Sequence, residues 1–245
     1  MQSKFIICGT QRTGTSLLDS SLNAHPDIKC YSEVFLFSRG RGVNIENSYR
    51  SYMNSSVVRR FRHYLEKKGV VDEYLTELFH EEDVQAAGFK LMLGQIRSFP
   101  SIADYIRENS IRVVHVVREN ALKTYISRHS AKQRKLYHVK EKVQLGKINI
   151  PVSRLKINLS IIEHENTEWR KILEGAEVLE VRYEDIFADM SSAMKKIQQF
   201  IGVREVENLS SRLSKINPDN LEEVIENYAE VNECLSGTNY EKYLR

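Results

Sequence analysis

The chain opens on a short apolar run, Phe5-Ile6-Ile7-Cys8, that stops at Gly9, and three more runs of similar length follow. They span 86–93 (AAGFKLML), 111–117 (IRVVHVV) and 177–181 (EVLEV). Runs this short, rich in branched residues, predict buried parallel strands. Between them the apolar positions change to helical spacing. Leu17, Leu18, Ser21 and Leu22 share one face of a short helix that Pro26 keeps from continuing. Ala121, Leu122, Tyr125, Ile126 and His129 share another, and 153–173 reads as a third helix. Met190, Ala193, Met194, Ile197, Phe200 and Ile201 keep the spacing until Gly202 stops it. Asn217-Pro218 predicts a cap and a first helical residue, with Leu221, Val224, Ile225 and Tyr228 on one face. The Tyr- and Arg-rich stretch 38–83 reads as helices and loops with a break at Val70-Val71, and the basic stretch 130–147 as loop or lid. Strands alternating with helices predict an α/β fold: a mostly parallel sheet of four to five strands with helices on both faces.

Composition narrows the class. The 245 residues, 41% hydrophobic, suit one domain over 1–245 with a sizeable core. A formal net charge of +3, from 36 Lys plus Arg against 33 Asp plus Glu, argues against a nucleic-acid partner but allows a local anion pocket. Cys8, Cys30 and Cys234 are scattered and odd in number, which fits a reducing compartment. No apolar run reaches membrane-spanning length. The expectation is a cytoplasmic protein without a membrane partner; nothing in the sequence sets its oligomeric state. His25, His63, His80, His115, His138 and His164 lack the spacing of a metal set. The clusters Arg59-Arg60-Phe61-Arg62 and Lys132-Gln133-Arg134-Lys135 read as solvated faces.

The most informative stretch is Gly9-Thr10-Gln11-Arg12-Thr13-Gly14-Thr15-Ser16, between the first strand and first helix. Its G-x-x-x-x-G-x-S frame has the spacing of a phosphate loop, in which glycines turn backbone N–H groups toward one point at a helix N-terminus. Thr15, however, stands where a nucleotide triphosphatase places its lysine, and the third strand ends in Arg118 instead of a metal-binding carboxylate. The loop is built for an anion and not for metal-assisted nucleotide hydrolysis.

Arg12-Thr13-Gly14-Thr15-Ser16 resembles the 5′-phosphosulfate loop of sulfotransferases that use the donor PAPS. With Ser32-Glu33-Val34-Phe35 beyond the first helix, it resembles the bacterial branch that includes trehalose and nodulation-factor sulfotransferases. The resemblance implies that Arg12, Thr13, Gly14, Thr15 and Ser16 bind the phosphosulfate. It also implies that Arg118 and Ser127 hold the 3′-phosphate, Ser127 lying nine positions on where the family usually has eight. Tyr183, in the Tyr183-Glu184-Asp185 element, would lie near the adenine. Ser236-Gly237-Thr238-Asn239-Tyr240 resembles the closing segment of bacterial members, and no RKG segment of the cytosolic kind is present.

Sulfuryl transfer needs cations at the leaving phosphate and a base for the acceptor proton. Arg12 is the candidate cation. Lys90 matches the lysine of the cytosolic Lys-Thr-His triplet, but Met92 occupies the histidine position. The resemblance makes Glu33 the base, with His129 in reserve. The expected reaction is in-line transfer from PAPS, without metal, to a hydroxyl or amine of a small-molecule acceptor, leaving PAP. Segments 38–83 and 130–150 would form the acceptor pocket and lid. Two other classes stay open: a P-loop kinase or NTPase lacking the usual lysine, and a non-catalytic nucleotide-binding module.

Overall fold

The computed structural model describes residues 2–36, 47–81, 83–134, 146–207, 209 and 220–244. Five strands, β1 (Ser3–Gly9), β2 (Ile28–Tyr31), β3 (Ala86–Met92), β4 (Arg112–Val117) and β5 (Val178–Arg182), form one sheet in the order β2-β3-β1-β4-β5. Every neighbouring pair is parallel. The helices among the described residues begin with α1 (Thr15–Leu22), α2 (Tyr49–Asn54), α3 (Val57–Leu65), α4 (Lys67–Leu78), α5 (Leu93–Ser98) and α6 (Ser101–Glu108). They continue with α7 (Ala121–Arg134), α8 (Leu155–Ile172), α9 (Tyr183–Ala188), α10 (Met190–Ile201), α11 (Leu221–Val224) and α12 (Tyr228–Leu235).

β1 is central, and its side chains alternate between two cores. Ile6 and Cys8 join Phe89, Leu91 and Val113 under α4, α5, α6 and Trp169 of α8. Phe5 and Ile7 join Val114 and Val116 under Leu18 and Leu22 of α1 and Ile197 and Ile201 of α10. All four β1 residues are fully buried, which is why the run is apolar on both parities instead of alternating with polar residues. A third cluster packs α7 against α8, α11 and α12 through Leu122, Ile126, Leu159, Ile162 and Leu235. From β1 the chain crosses to one side of the sheet, and from β4 to the other. The crevice at the carboxyl ends of β1 and β4 is therefore the switch point where α/β sheets bind ligands.

The α/β expectation holds, with five strands, and Gly202 ends α10 at φ 85 as expected. Four local expectations change. β2 was not read from the sequence: Ile28-Lys29-Cys30-Tyr31 is short and carries a lysine, and the Asn23 amide binds both the N–H (2.9 Å) and the C=O (2.8 Å) of Cys30. Val70-Val71 is no break. Both residues are fully buried inside α4, so their apolar pairing reflects the core. The expected lid begins as helix, because α7 runs to Arg134; residues 135–145 lie outside the described residues. Leu221 to Tyr228 is two helices, since Ile225 is extended and forms an isolated bridge with Ile148. Asn220 caps α11, and the expected cap at Asn217-Pro218 lies outside the described residues.

His115 on β4 is 1% exposed, faces Trp169 at 6.1 Å between ring centroids, and sets Nδ1 3.3 Å from Glu180 Oε2. Burial lowers its pKa to about 4, with Glu180 opposing the shift and Arg170 adding to it. The folded value lies below the ordinary ~6.5, so the unfolded chain takes up the proton first as pH falls. The neutral histidine's stability is fully present above about pH 6.5 and falls as pH drops toward about 4. Replacing His115 by Gln should flatten the slope of unfolding free energy against pH in that window by up to about 1.4 kcal/mol per pH unit. Urea titrations at several pH values check it; identical slopes would place the titration elsewhere.

Candidate active site

β1 delivers the chain to the switch point, and Gly9 lets it turn back. A Cβ there would lie 2.6 Å from the Val116 carbonyl oxygen and 2.8 Å from Thr13 Oγ1, so a side chain would push the loop off β4. Thr13 Oγ1 donates to the Thr10 carbonyl at 2.8 Å and closes the turn. Arg12 takes a left-handed φ of 68 and Gly14 one of 95. α1 then begins at Thr15 with no side-chain cap on its N-terminus. Its first-turn N–H groups have no partner within the helix, which suits an anion.

Two clusters meet on this loop. In the first, Arg12 Nε donates to Ser127 Oγ of α7 at 3.1 Å, and Arg118 Nη1 donates to the Arg12 carbonyl at 3.4 Å. Arg118 is 8% exposed, and its guanidinium lies 4.3 Å from the centre of the Tyr183 ring. Tyr183, directly after β5, is wedged under the loop: a Cβ on Gly14 would meet its ring at 2.7 Å. Burial pulls the Arg12 guanidinium below the usual arginine value; the Tyr183 hydroxyl opposes this and the charge of Arg118 adds to it. A half-buried and a buried like charge side by side favour an anion between them. Beyond Arg118 and Tyr183 lies a cavity of about 860 Å³, bordered also by Lys123, Asn166, Phe187 and Lys242.

In the second cluster, Lys90, the β3 residue in register with Ile7, donates to Ser16 Oγ at 2.9 Å and pairs with Glu33 Oε1 at 3.0 Å. Glu33 Oε2 accepts from Gln95 Nε2 at 2.9 Å, and Gln95 Oε1 accepts the Met92 N–H at 3.0 Å. The lysine side chain is 5% exposed and the glutamate 25%, so the carboxylate alone reaches toward solvent. Met92 lies against the loop, with its sulfur 4.0 Å from Thr15 Oγ1.

The structure thus gathers Arg12 to Ser16 with Arg118, Ser127 and Tyr183, and joins Lys90 and Glu33 to them through Ser16. His129 stands apart from both hydrogen-bond clusters: it stacks on Tyr125 at 5.8 Å, and its Nε2 is buried without a hydrogen-bond partner. Sequence reasoning missed Gln95 and Arg128. Gln95 sits three residues past Met92, the spacing at which a side chain reaches back to a helix start, and that signal was available. Arg128 donates to the Gln11 carbonyl at 3.2 Å and pairs with Glu165 at 2.6 Å, tying loop, α7 and α8 together. Only the fold brings those three together.

A family model described as the sulfotransferase family matches residues 4–207, more than four-fifths of the length. The chain belongs to the sulfotransferase family. Among solved structures, this sulfotransferase is similar to the sulfotransferase domain of the Synechococcus PCC 7002 olefin synthase. The two are 16% identical with a TM-score of 0.51, over 97% of this chain and 89% of that one. It is also similar to a sulfotransferase from Alicyclobacillus acidocaldarius, 16% identical with a TM-score of 0.50, over 100% of this chain and 96% of that one. At this identity the likeness shows the shared fold. Comparison with curated proteins finds no match.

In this sulfotransferase the left-handed turn at Gly14 and the Tyr183 ring beneath it are one packing unit. Gly14→Ala should lower the unfolding free energy by about 1–3 kcal/mol, from the strained φ and the contact with the ring. Adding Tyr183→Ala should cost less than the sum of the two single changes in a denaturant double-mutant cycle. Plain additivity would mean that the ring does not press on the loop.

Proposed function

We propose that this sulfotransferase is one domain over residues 1–245 that moves the sulfuryl group of PAPS to a hydroxyl or amine of a small-molecule acceptor. Protein cations take the place a metal holds in nucleotide hydrolysis. The observation that carries the reading is the meeting of Arg12 and Arg118, from the ends of two different strands, at the uncapped N-terminus of α1. When bound, PAPS supplies an activated sulfuryl group whose departure leaves charge on the bridging oxygen of PAP. Arg12 and the N–H and hydroxyl groups of Thr13, Gly14, Thr15 and Ser16 are assigned to the phosphosulfate. Arg118 and Ser127 are assigned to the 3′-phosphate. Tyr183, which lines the 860 Å³ cavity, is assigned to the nucleoside end, for which that volume suffices.

On the acceptor side, Lys90 holds its ammonium between Ser16 and Glu33. Glu33 is the proton acceptor: Gln95 and Lys90 fix both oxygens in position, and it is more exposed than its lysine partner. Segments 38–83 and 130–150 are assigned to the acceptor pocket and lid. Cys8, Cys30 and Cys234 are all free thiols, which supports a cytoplasmic setting.

Transfer of label from PAPS to a panel of phenols, sugars and amines tests the reading. Arg12→Ala should cut kcat on the order of 10²-fold while PAP affinity changes far less, because its contact strengthens as charge develops. Glu33→Gln should bind PAP normally and lose the acidic limb of kcat/KM. An unchanged kcat in Arg12→Ala removes that residue from the mechanism. Loss of turnover in His129→Ala with near-normal Glu33→Gln moves the base to the histidine.

A further inference from the structure

α3 carries five large apolar side chains that the fold leaves in water: Val57 (75% exposed), Val58 (67%), Phe61 (64%), Tyr64 (85%) and Leu65 (73%). None of its residues is buried. At about 100° per residue these five fall within an arc of about 120°. Arg60 and Arg62 each lie about 40° beyond one edge of that arc, and Arg59 and His63 occupy the opposite side. The opposite side is the one fixed to the protein. The Arg59 guanidinium stacks 4.0 Å from the centre of the Tyr52 ring, and His63 Nδ1 is 2.8 Å from the Tyr49 hydroxyl. Arg62 is also held by Glu73 at 2.7 Å. The helix is therefore anchored by its polar back with its apolar front outward. Among the described residues the remaining large exposed hydrophobics, Ile157, Ile161, Val178 and Phe187, are spread over α8, β5 and α9.

We propose that α3 docks this protein on an anionic lipid surface, with the apolar arc entering the interfacial layer and Arg60 at its edge meeting headgroup phosphates. Charge points to that occupant. The helix contains three arginines and a histidine and no acid; Glu66, Lys67 and Lys68 follow it, all exposed, and Arg59, Arg62 and Lys68 are paired with Glu77, Glu73 and Asp72. Arg60 is exposed and forms no ion pair among the described residues. An apolar arc edged by arginines, whose stems lie along the surface while their heads reach phosphate, is the arrangement of an interfacial helix. Tyr64, the most exposed of the five, has the ring-plus-hydroxyl character favoured at that depth. A second copy suits the face less well. A two-fold pairing would set arginine edge against arginine edge, and one nine-residue helix falls short of the ~800 Å² per partner of a stable interface. Among the described residues no helix is long and apolar enough to cross a membrane, so the contact is peripheral.

Co-sedimentation of the whole chain with vesicles tests the proposal. Vesicles of phosphatidylcholine with about a third phosphatidylglycerol should bind it, pure phosphatidylcholine should bind it at least about tenfold more weakly, and added salt should weaken the anionic case. The double variant Phe61→Ser, Leu65→Ser should lose at least about tenfold of the partitioning, and Arg60→Ser part of it. Thermal unfolding of the variants should match the parent, because these side chains touch no core. The proposal falls if the anionic vesicles do not bind the protein, or if the double variant binds them as the parent does. It also falls if sedimentation shows a dimer that Phe61→Ser, Leu65→Ser abolishes, for then a second copy covers the face.

Discussion

The close passage of the loop after β1 over the end of β4 governs how everything around it is arranged. With Gly9 against the Val116 carbonyl and Gly14 against the Tyr183 ring, the loop has no room for a Cβ at either position. That compression sets the Arg12 carbonyl within reach of Arg118 and the Arg12 side chain within reach of Ser127. Two guanidinium groups from distant parts of the chain are thereby held together at the start of a helix. Their mutual repulsion and burial are unfavourable terms that the two cores beneath β1 offset. A bound dianion would remove much of that cost, so the same geometry that strains the free protein favours its ligand.

Ser16 connects this anion site to the second cluster. One residue of α1 hydrogen-bonds Lys90, and Lys90 in turn fixes Glu33. The loop after β1 and the proposed proton acceptor are thus two contacts apart through side chains, and Gln95 ties the carboxylate to the end of β3.

What could be read from the sequence follows from burial. β1 and β4 are covered on both faces, so β1 appears as an apolar run and β4 as one interrupted by His115, and the loop residues carry the chemistry of an anion site at the spacing a strand-loop-helix requires. β2 did not show, because its four residues include Lys29 and its edge is completed by the Asn23 side chain. Val70-Val71 misled in the other direction, since a fully buried stretch of helix looks locally like a break in amphipathic pattern. Within the site, the residue types on the loop and the spacing of Gln95 from Met92 were legible, while the role of Arg128 was not, because it depends on contacts with Gln11 and Glu165. The Arg59-Arg60-Phe61-Arg62 cluster was read as a solvated face, and its apolar neighbours gave no sign that the fold would leave them uncovered.

The account rests on Arg12 and Arg118 forming one site for the nucleotide of the donor. Calorimetric titration of PAP in the presence of EDTA, against the parent protein and Arg118→Ala, tests this most directly. The parent should bind PAP without metal. Arg118→Ala should weaken PAP by about 1.5–3 kcal/mol, roughly ten- to a hundredfold, and an analogue lacking the 3′-phosphate far less. Failure of the parent to bind PAP, or equal weakening of PAP and the analogue, would contradict it.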